Sequence, residues 1–235
     1  AQTNAGASAG NIDITAVGAV TVEAVGTGGT GVTIDGLAAS TGTITLAATG
    51  NGNSLGVAHN VTSKAGAITL RGGDNVSFTA AGTVASTTGN VTVTGNYLAG
   101  DAVGAITLTD GATINAGSGT ITMTAPDDIT LSGLSTTNAT TSAVSVTSTA
   151  GGILDAGNTN VDIVANNAAA RTTLSAATGI GVANGLETTI GNLVATNSGT
   201  AGNITIAETD ALVIRNAAQT NAGASAGNID ITAVG

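Results

Sequence analysis

The chain has 235 residues, of which 42% are hydrophobic and only 8% charged, with one Phe, one Tyr, one Met, one Pro, no Trp, no Cys and a net charge of −10. This composition excludes an aromatic-rich globular core, a disulfide framework, a thiolate metal site and a thiol nucleophile. Nucleic acid is excluded as a partner, because the only cations besides His59 are Lys64, Arg71, Arg171 and Arg215, too few and too scattered to track a phosphate backbone.

The 36 glycines suggest a flexible linker at first sight, but a chain this apolar would aggregate if it stayed unfolded. It must bury Val, Ile, Leu and Ala in a thin, repetitive core.

The chain opens with AQTNAGASAGNIDITAVG, and the same 18 residues return at 218–235, an offset of 217. Biased composition does not produce such an identity, so residues 1–217 read as one solenoid unit and 218–235 as the start of the next in a tandem array. The opening segment has neither the basic nor the apolar region of a secretion signal, so any export signal is expected outside this chain. No apolar run reaches the length of a membrane-spanning helix, and membrane insertion is not expected.

Within the unit a short phrase recurs: GNIDI at Gly10, GAVTV at Gly18, GTITL at Gly42, GAITL at Gly66, GNVTV at Gly89, GAITL at Gly104, GTITM at Gly119 and GNITI at Gly202. Looser copies are DNVSF at Asp74, DDITL at Asp127 and TNVDI at Thr159. Aliphatic residues alternate with Thr or Asp, the period of a strand with one buried face. Gly, Asn, Asp and Ser between the phrases supply tight corners and positions with positive φ.

The first inward residue recurs at Ile68, Val76, Val84 and Val91, and again at Ile106, Ile114, Ile121 and Ile129, in steps of seven or eight. These steps predict an all-β, right-handed parallel β-helix with two or three strands per coil of roughly 20 residues. At about 4.8 Å per coil, roughly eleven coils would make each unit a rod about 50 Å long. Asn11, Asn90, Asn203 and Asn228 are expected to stack as side-chain ladders at a corner. Residues 166–178, NNAAARTTLSAAT, lack the alternation and read as a bulged loop or a helical turn.

The GNITI, GAITL and GNVTV phrases, in a Cys-free and aromatic-poor chain, resemble the filamentous haemagglutinin-like proteins of Gram-negative bacteria. The resemblance covers nearly the whole chain at the level of the repeat, and the family's secretion domain has no counterpart in it. It implies an extracellular, cell-surface adhesin or filament exported by two-partner secretion, and no catalytic residues.

The residues themselves favour the same class: a structural fibre or stalk, with identical units stacked end to end, some lateral association and a cell-surface or glycan ligand. No enzyme activity, cofactor or metal site is expected. The adjacent pair Asp127 and Asp128, and the close pair Glu208 and Asp210, read as solvated corners. His59, with Lys64 five residues later, lacks a convergent set of partners for catalysis. GGDNVSF at Gly72 resembles a calcium-roll repeat but occurs once. Asn60, Asn90 and Asn203 fall in glycosylation sequons that the strand phrase generates by itself.

The alternative is a carbohydrate- or ice-binding solenoid. Sugar stacking would need Phe78 or Tyr97, and alternation turns Phe78 inward with Val76. Ice binding would need regular threonine ranks from residues such as Thr43, Thr45, Thr120, Thr122 and Thr124, and the irregular steps between phrases argue against a flat array.

Overall fold

The structure, a computed structural model, describes all residues except 1, 5–9, 24–30, 37–39, 99, 200, 221–226 and 235. The described residues form an all-β solenoid with no helix, in which every strand pairing is parallel and joins equivalent strands of successive coils. Each regular coil contributes one strand to each of three faces. Face one is a ten-stranded sheet, face two has nine strands and face three has six. Two isolated bridges, Ile153 to Ile180 and Ile180 to Ile204, carry face three on towards the C-terminal coils.

The predicted inward positions hold. Ile68, Val76, Val91, Ile106, Ile114, Ile121 and Ile129 are 0% exposed and Val84 is 1%. Ile68, Val91 and Ile121 lie in line on face two, Val76, Ile106 and Ile129 on face three, and Val84 and Ile114 on face one. A step of seven or eight residues is therefore one face, and three faces close a coil of about 24 residues over about eight turns. The expectation of shorter coils, eleven to the unit, is corrected, and the rod is roughly 40 Å long at the usual strand spacing. A two-stranded coil of 20 residues would leave no third wall for the same aliphatic ladders.

Coil length nevertheless varies. Ile44 pairs with Ile68 across 24 residues, whereas Val91 pairs with Ile121 across 30. The extra residues leave the rod at corners such as the one that holds Asn96, Leu98 and Ala102, so the strands stay in register while the corners absorb the difference. The inward ladder Leu46, Leu70, Val93, Met123, Val146 and Leu174 runs unbroken along face two. Each such side chain contributes about 1.5–3 kcal/mol on burial.

The glycine that opens the phrase has a specific cause. A Cβ on Gly66 would lie 1.9 Å from the Gly42 carbonyl oxygen, one on Gly89 2.0 Å from that of Gly66, and one on Gly119 2.3 Å from that of Gly89. These glycines stack on one another at a corner where the backbones of successive coils approach too closely for any side chain. Close approach, not positive φ, is the requirement at this column.

The asparagines do not stack on one another as expected. The Asn11 side-chain oxygen accepts the Thr43 N–H at 3.0 Å, Asn75 that of Ala105 at 2.8 Å, Asn90 that of Thr120 at 3.0 Å and Asn203 that of Asn228 at 2.9 Å. Asp128 accepts from Gly152 at 2.7 Å and Asp162 from Glu187 at 3.0 Å. Every one of these acceptors immediately precedes an inward strand residue, and its donor is the equivalent residue one coil further on. The Asn of the phrase is thus a rung between coils, occupying a corner N–H that strand pairing leaves over.

Residues 166–178 are neither a helix nor a featureless loop. Arg171–Ala176 is a strand of face two whose inward side chains are Thr172, Leu174 and Ala176. A threonine at the first inward position hides the alternation from the sequence.

The two copies of the repeated segment occupy different faces. Ile12–Ala16 belongs to face two and pairs with Ile44–Ala48, whereas Ile229–Ala233 pairs with Ile204–Glu208, in line with faces three and one.

Candidate functional site

The buried polar side chains before residue 162 are hydroxyls, those of Ser40, Ser63, Ser86, Ser132, Thr136 and Ser148, whereas carboxylates and amides are buried from residue 162 onwards. Asp162, Thr172, Thr188 and Asn197 are 0% exposed, Glu208 2% and Asn192 4%. Most of them are provided for. Asn192 donates to the Ala168 and Ala170 carbonyls, both at 2.8 Å, and accepts from Arg215 Nε at 2.8 Å. Asn197 donates to the Ala201 and Gly202 carbonyls at 3.0 Å.

Glu208, expected at a solvated corner, is instead buried in the face-one ladder opposite Thr188. Its carboxylate accepts from Thr188 Oγ1 at 2.7 Å and from the N–H groups of Ile190, Thr209 and Asp210 at 3.1–3.2 Å. Burial pushes its pKa up, while these donors partly offset the shift. Asp210 is only half-buried.

Thr172 Oγ1 and Asn197 Oδ1 are buried without a partner, and so is one oxygen of Asp162, which unlike them is a carboxylate. The TNVDI phrase places Asp162 on the outer face between Val161 and Ile163. In the structure Ile163–Ala165 begins two residues later than that frame, Val161 is 37% exposed, and Asp162 is the buried rung residue before the strand. Its Oδ2 accepts the Glu187 N–H, and its Oδ1, also buried, has no partner.

Two other carboxylates meet it at this corner between faces three and one. Asp155 ends the strand Ile153–Asp155, and Glu187 lies in Leu186–Ile190 one coil further on. One oxygen from each of Asp155, Asp162 and Glu187 lies within 4.8 Å of the others. Glu187 Oε2 is likewise buried without a partner. Burial first, then the charges of Asp155 and Glu187, push the Asp162 pKa up to about 9. Glu187 is also raised, by burial and then by Asp155.

The two loops flanking the cluster are well tied. Asp155 accepts the Gly157 N–H at 2.7 Å and a hydrogen bond from the Asn184 amide, which also donates to Asn158 Oδ1 at 2.8 Å. Thr159 reaches back two coils, donating to Asp110 through its N–H at 3.1 Å and its hydroxyl at 2.6 Å.

The other residues singled out from sequence lie apart from one another. Asp127 accepts the Gly104 N–H at 2.9 Å, so this residue and Asp128 tie corners of neighbouring coils together. His59 is half-buried and its Nδ1 has no hydrogen-bond partner. Phe78 is 1% exposed, in line with Val57 and Leu108. Arg71 donates to Tyr97 Oη at 3.0 Å and stacks 4.2 Å from its ring centre. A groove of about 530 Å³, lined by Thr141, Ala168, Ala169, Arg171, Asn192 and Arg215, joins two of the four Lys and Arg residues.

The doubt about threonine ranks is also corrected. On the outer side of face two, Thr45, Thr69, Thr92, Thr122, Ser145 and Thr173 are aligned on successive coils. A second rank, Thr94, Thr124, Thr147, Ser175 and Thr196, runs beside it. Variable corner lengths do not disturb these ranks because the extra residues sit outside the strands. The chain matches no known protein family, no curated protein and no solved structure.

Proposed function

We propose that this chain is a structural segment of a cell-surface fibre or stalk, built from tandem 217-residue units and exposed outside a bacterium. One observation carries the reading. The inward ladders run to the outermost described coils, where Ile14 is 43% exposed, Ile214 50% and Ile229 44%, so a further coil at either end would bury them. The verbatim repeat supplies a sequence suited to that continuation. In this reading the partner is another copy of the unit, any surface ligand or lateral contact is secondary, and no catalytic step is assigned. Enzyme assays on a His59, Asp127 and Asp128 triple Asn variant should show no turnover lost.

The test is a recombinant tandem of two units imaged by electron microscopy. A single rod that lengthens by roughly 40 Å per added unit supports the fibre. Separate beads joined by a flexible linker would overturn it.

The aligned threonines favour a second reading, ice binding, because the ranks repeat at about 4.8 Å across coils and about 6.6 Å along a strand. Thermal hysteresis that is lost in Thr122→Tyr would support it, and absence of hysteresis in the unaltered chain removes it.

A further inference from the structure

We propose that Asp155, Asp162 and Glu187 form a divalent-cation site, selective for calcium, that clamps three strands at the corner between faces three and one. The site stands on its own residues and does not depend on the fibre reading.

The spacing comes first. Oxygens around one calcium ion sit 2.3–2.6 Å from it, so two of them are at most about 5 Å apart. The three carboxylates already place one oxygen each within 4.8 Å of the others. Magnesium demands near-ideal octahedral geometry and keeps several of its waters, so three carboxylates fixed on separate strands suit it less than calcium. All three donors are hard oxygens, with no His or Cys among them, which disfavours zinc and copper.

The second observation concerns the rung. A rung needs one acceptor oxygen, and Asn supplies it at Asn11, Asn75, Asn90 and Asn203. Asp128 uses a carboxylate for the same purpose but is exposed to water. Asp162 uses one while 0% exposed, with its second oxygen unpartnered and two further carboxylates in front of it. Asparagine there would keep the rung and offer an amide to its acidic neighbours. The carboxylate serves no purpose in the rung that an amide does not, but it provides the central ligand for a cation.

The surroundings agree with this assignment. Asn158 and Asn184, in the two loops beside the cluster, carry amide oxygens that could complete a calcium shell together with water.

The experiment uses the 235-residue chain, with calcium chloride or magnesium chloride added after removal of metal by a chelator. Isothermal titration should show one calcium site, with a dissociation constant of about 10⁻⁴–10⁻³ M as for extracellular modules. Ten millimolar calcium should raise the melting temperature by several degrees, and magnesium by less. Asp162→Asn should melt no lower than the unaltered chain without calcium and should lose the calcium response. Glu187→Gln, a change at a half-buried position, should lose the response too and reports the same result if the first variant does not fold. Absence of calcium binding in the unaltered chain, or an undiminished response in either folded variant, would overturn the site.

Discussion

The coils between Ile44 and Leu131 and those between Ile153 and Glu208 share three-sided strand geometry but fill it differently. In the first group the inward ladders are almost wholly aliphatic, and polar groups stay at corners. In the second, Thr172, Thr188, Asn197 and Glu208 take inward places in the strands, and Asp162 and Asn192 are buried at corners. The largest of these polar groups are held by partners on neighbouring coils. Glu208 has four donors and Asn192 bonds to three groups. Asp162 has one bond where two oxygens need partners, and it is set apart from Thr172 and Asn197, which also hold an unpartnered oxygen, by the two carboxylates that face it.

Five substitutions would break or sharpen that contrast. The largest effect is expected in the aliphatic coils, where Ile121→Asp puts a carboxylate among Val91, Val144 and their neighbours with no donor prepared for it. It should cost several kcal/mol and unfold the rod, whereas Thr122→Asp on the outer side should melt close to the unaltered chain. Equal melting of the two would remove the assigned facing.

Gly89→Ala comes next. Its methyl group would sit 2.0 Å from the Gly66 carbonyl oxygen, and the coils must separate to admit it. A loss of about 1–3 kcal/mol in chemical denaturation is expected, as for other overpacked sites; a neutral result would show that the corner column is not close-packed.

Asn192→Leu probes the polar coils from the opposite side. Leucine is close to asparagine in size, yet it strands the Ala168 and Ala170 carbonyls, so a loss of about 1–3 kcal/mol should follow despite the gain in apolar area. A stabilised variant would mean that those carbonyls find water, and that the polar interior is incidental.

The smallest effect is expected from Glu208→Gln, and it should depend on pH. The folded chain holds the Glu208 proton to a higher pH than the unfolded chain does, because burial raises its pKa above 4.5 and Asp210 lies beside it. Stability contributed by the protonated form is present below pH 4.5 and falls as pH rises through the folded pKa. Melting curves from pH 4 upwards should therefore decline more steeply for the unaltered chain than for the Gln variant; parallel curves would show that the four donors hold the carboxylate as comfortably as water does.

Much of the fold was legible because inward Ile and Val alternate with Thr in phrases such as GAITL at Gly66 and GTITM at Gly119. Phe78 was correctly turned inward by the same rule. The rule failed where a polar residue takes an inward place, as Thr172 does, or where a strand starts two residues late, as at Ile163. Asp162 fell to the second failure. Its neighbours in the cluster, Asp155 and Glu187, are 7 and 25 residues away along the chain, and only the coil register brings them together. The threonine ranks were argued against for a related reason, since unequal spacing in sequence conceals equal spacing along the rod.

The segment IDITA makes the division clear. In both copies its local pattern determined a five-residue strand with its isoleucines on one side, because alternation depends only on the pleat. The sequence alone could not determine which wall the strand joins. Ile12 lies against Ile44 on face two and Ile229 against Ile204 in the line of face three. The face is decided by how many residues the preceding corners absorb and which open strand edge then stands 4.8 Å away, a distance that exists only once the coil beside it has formed.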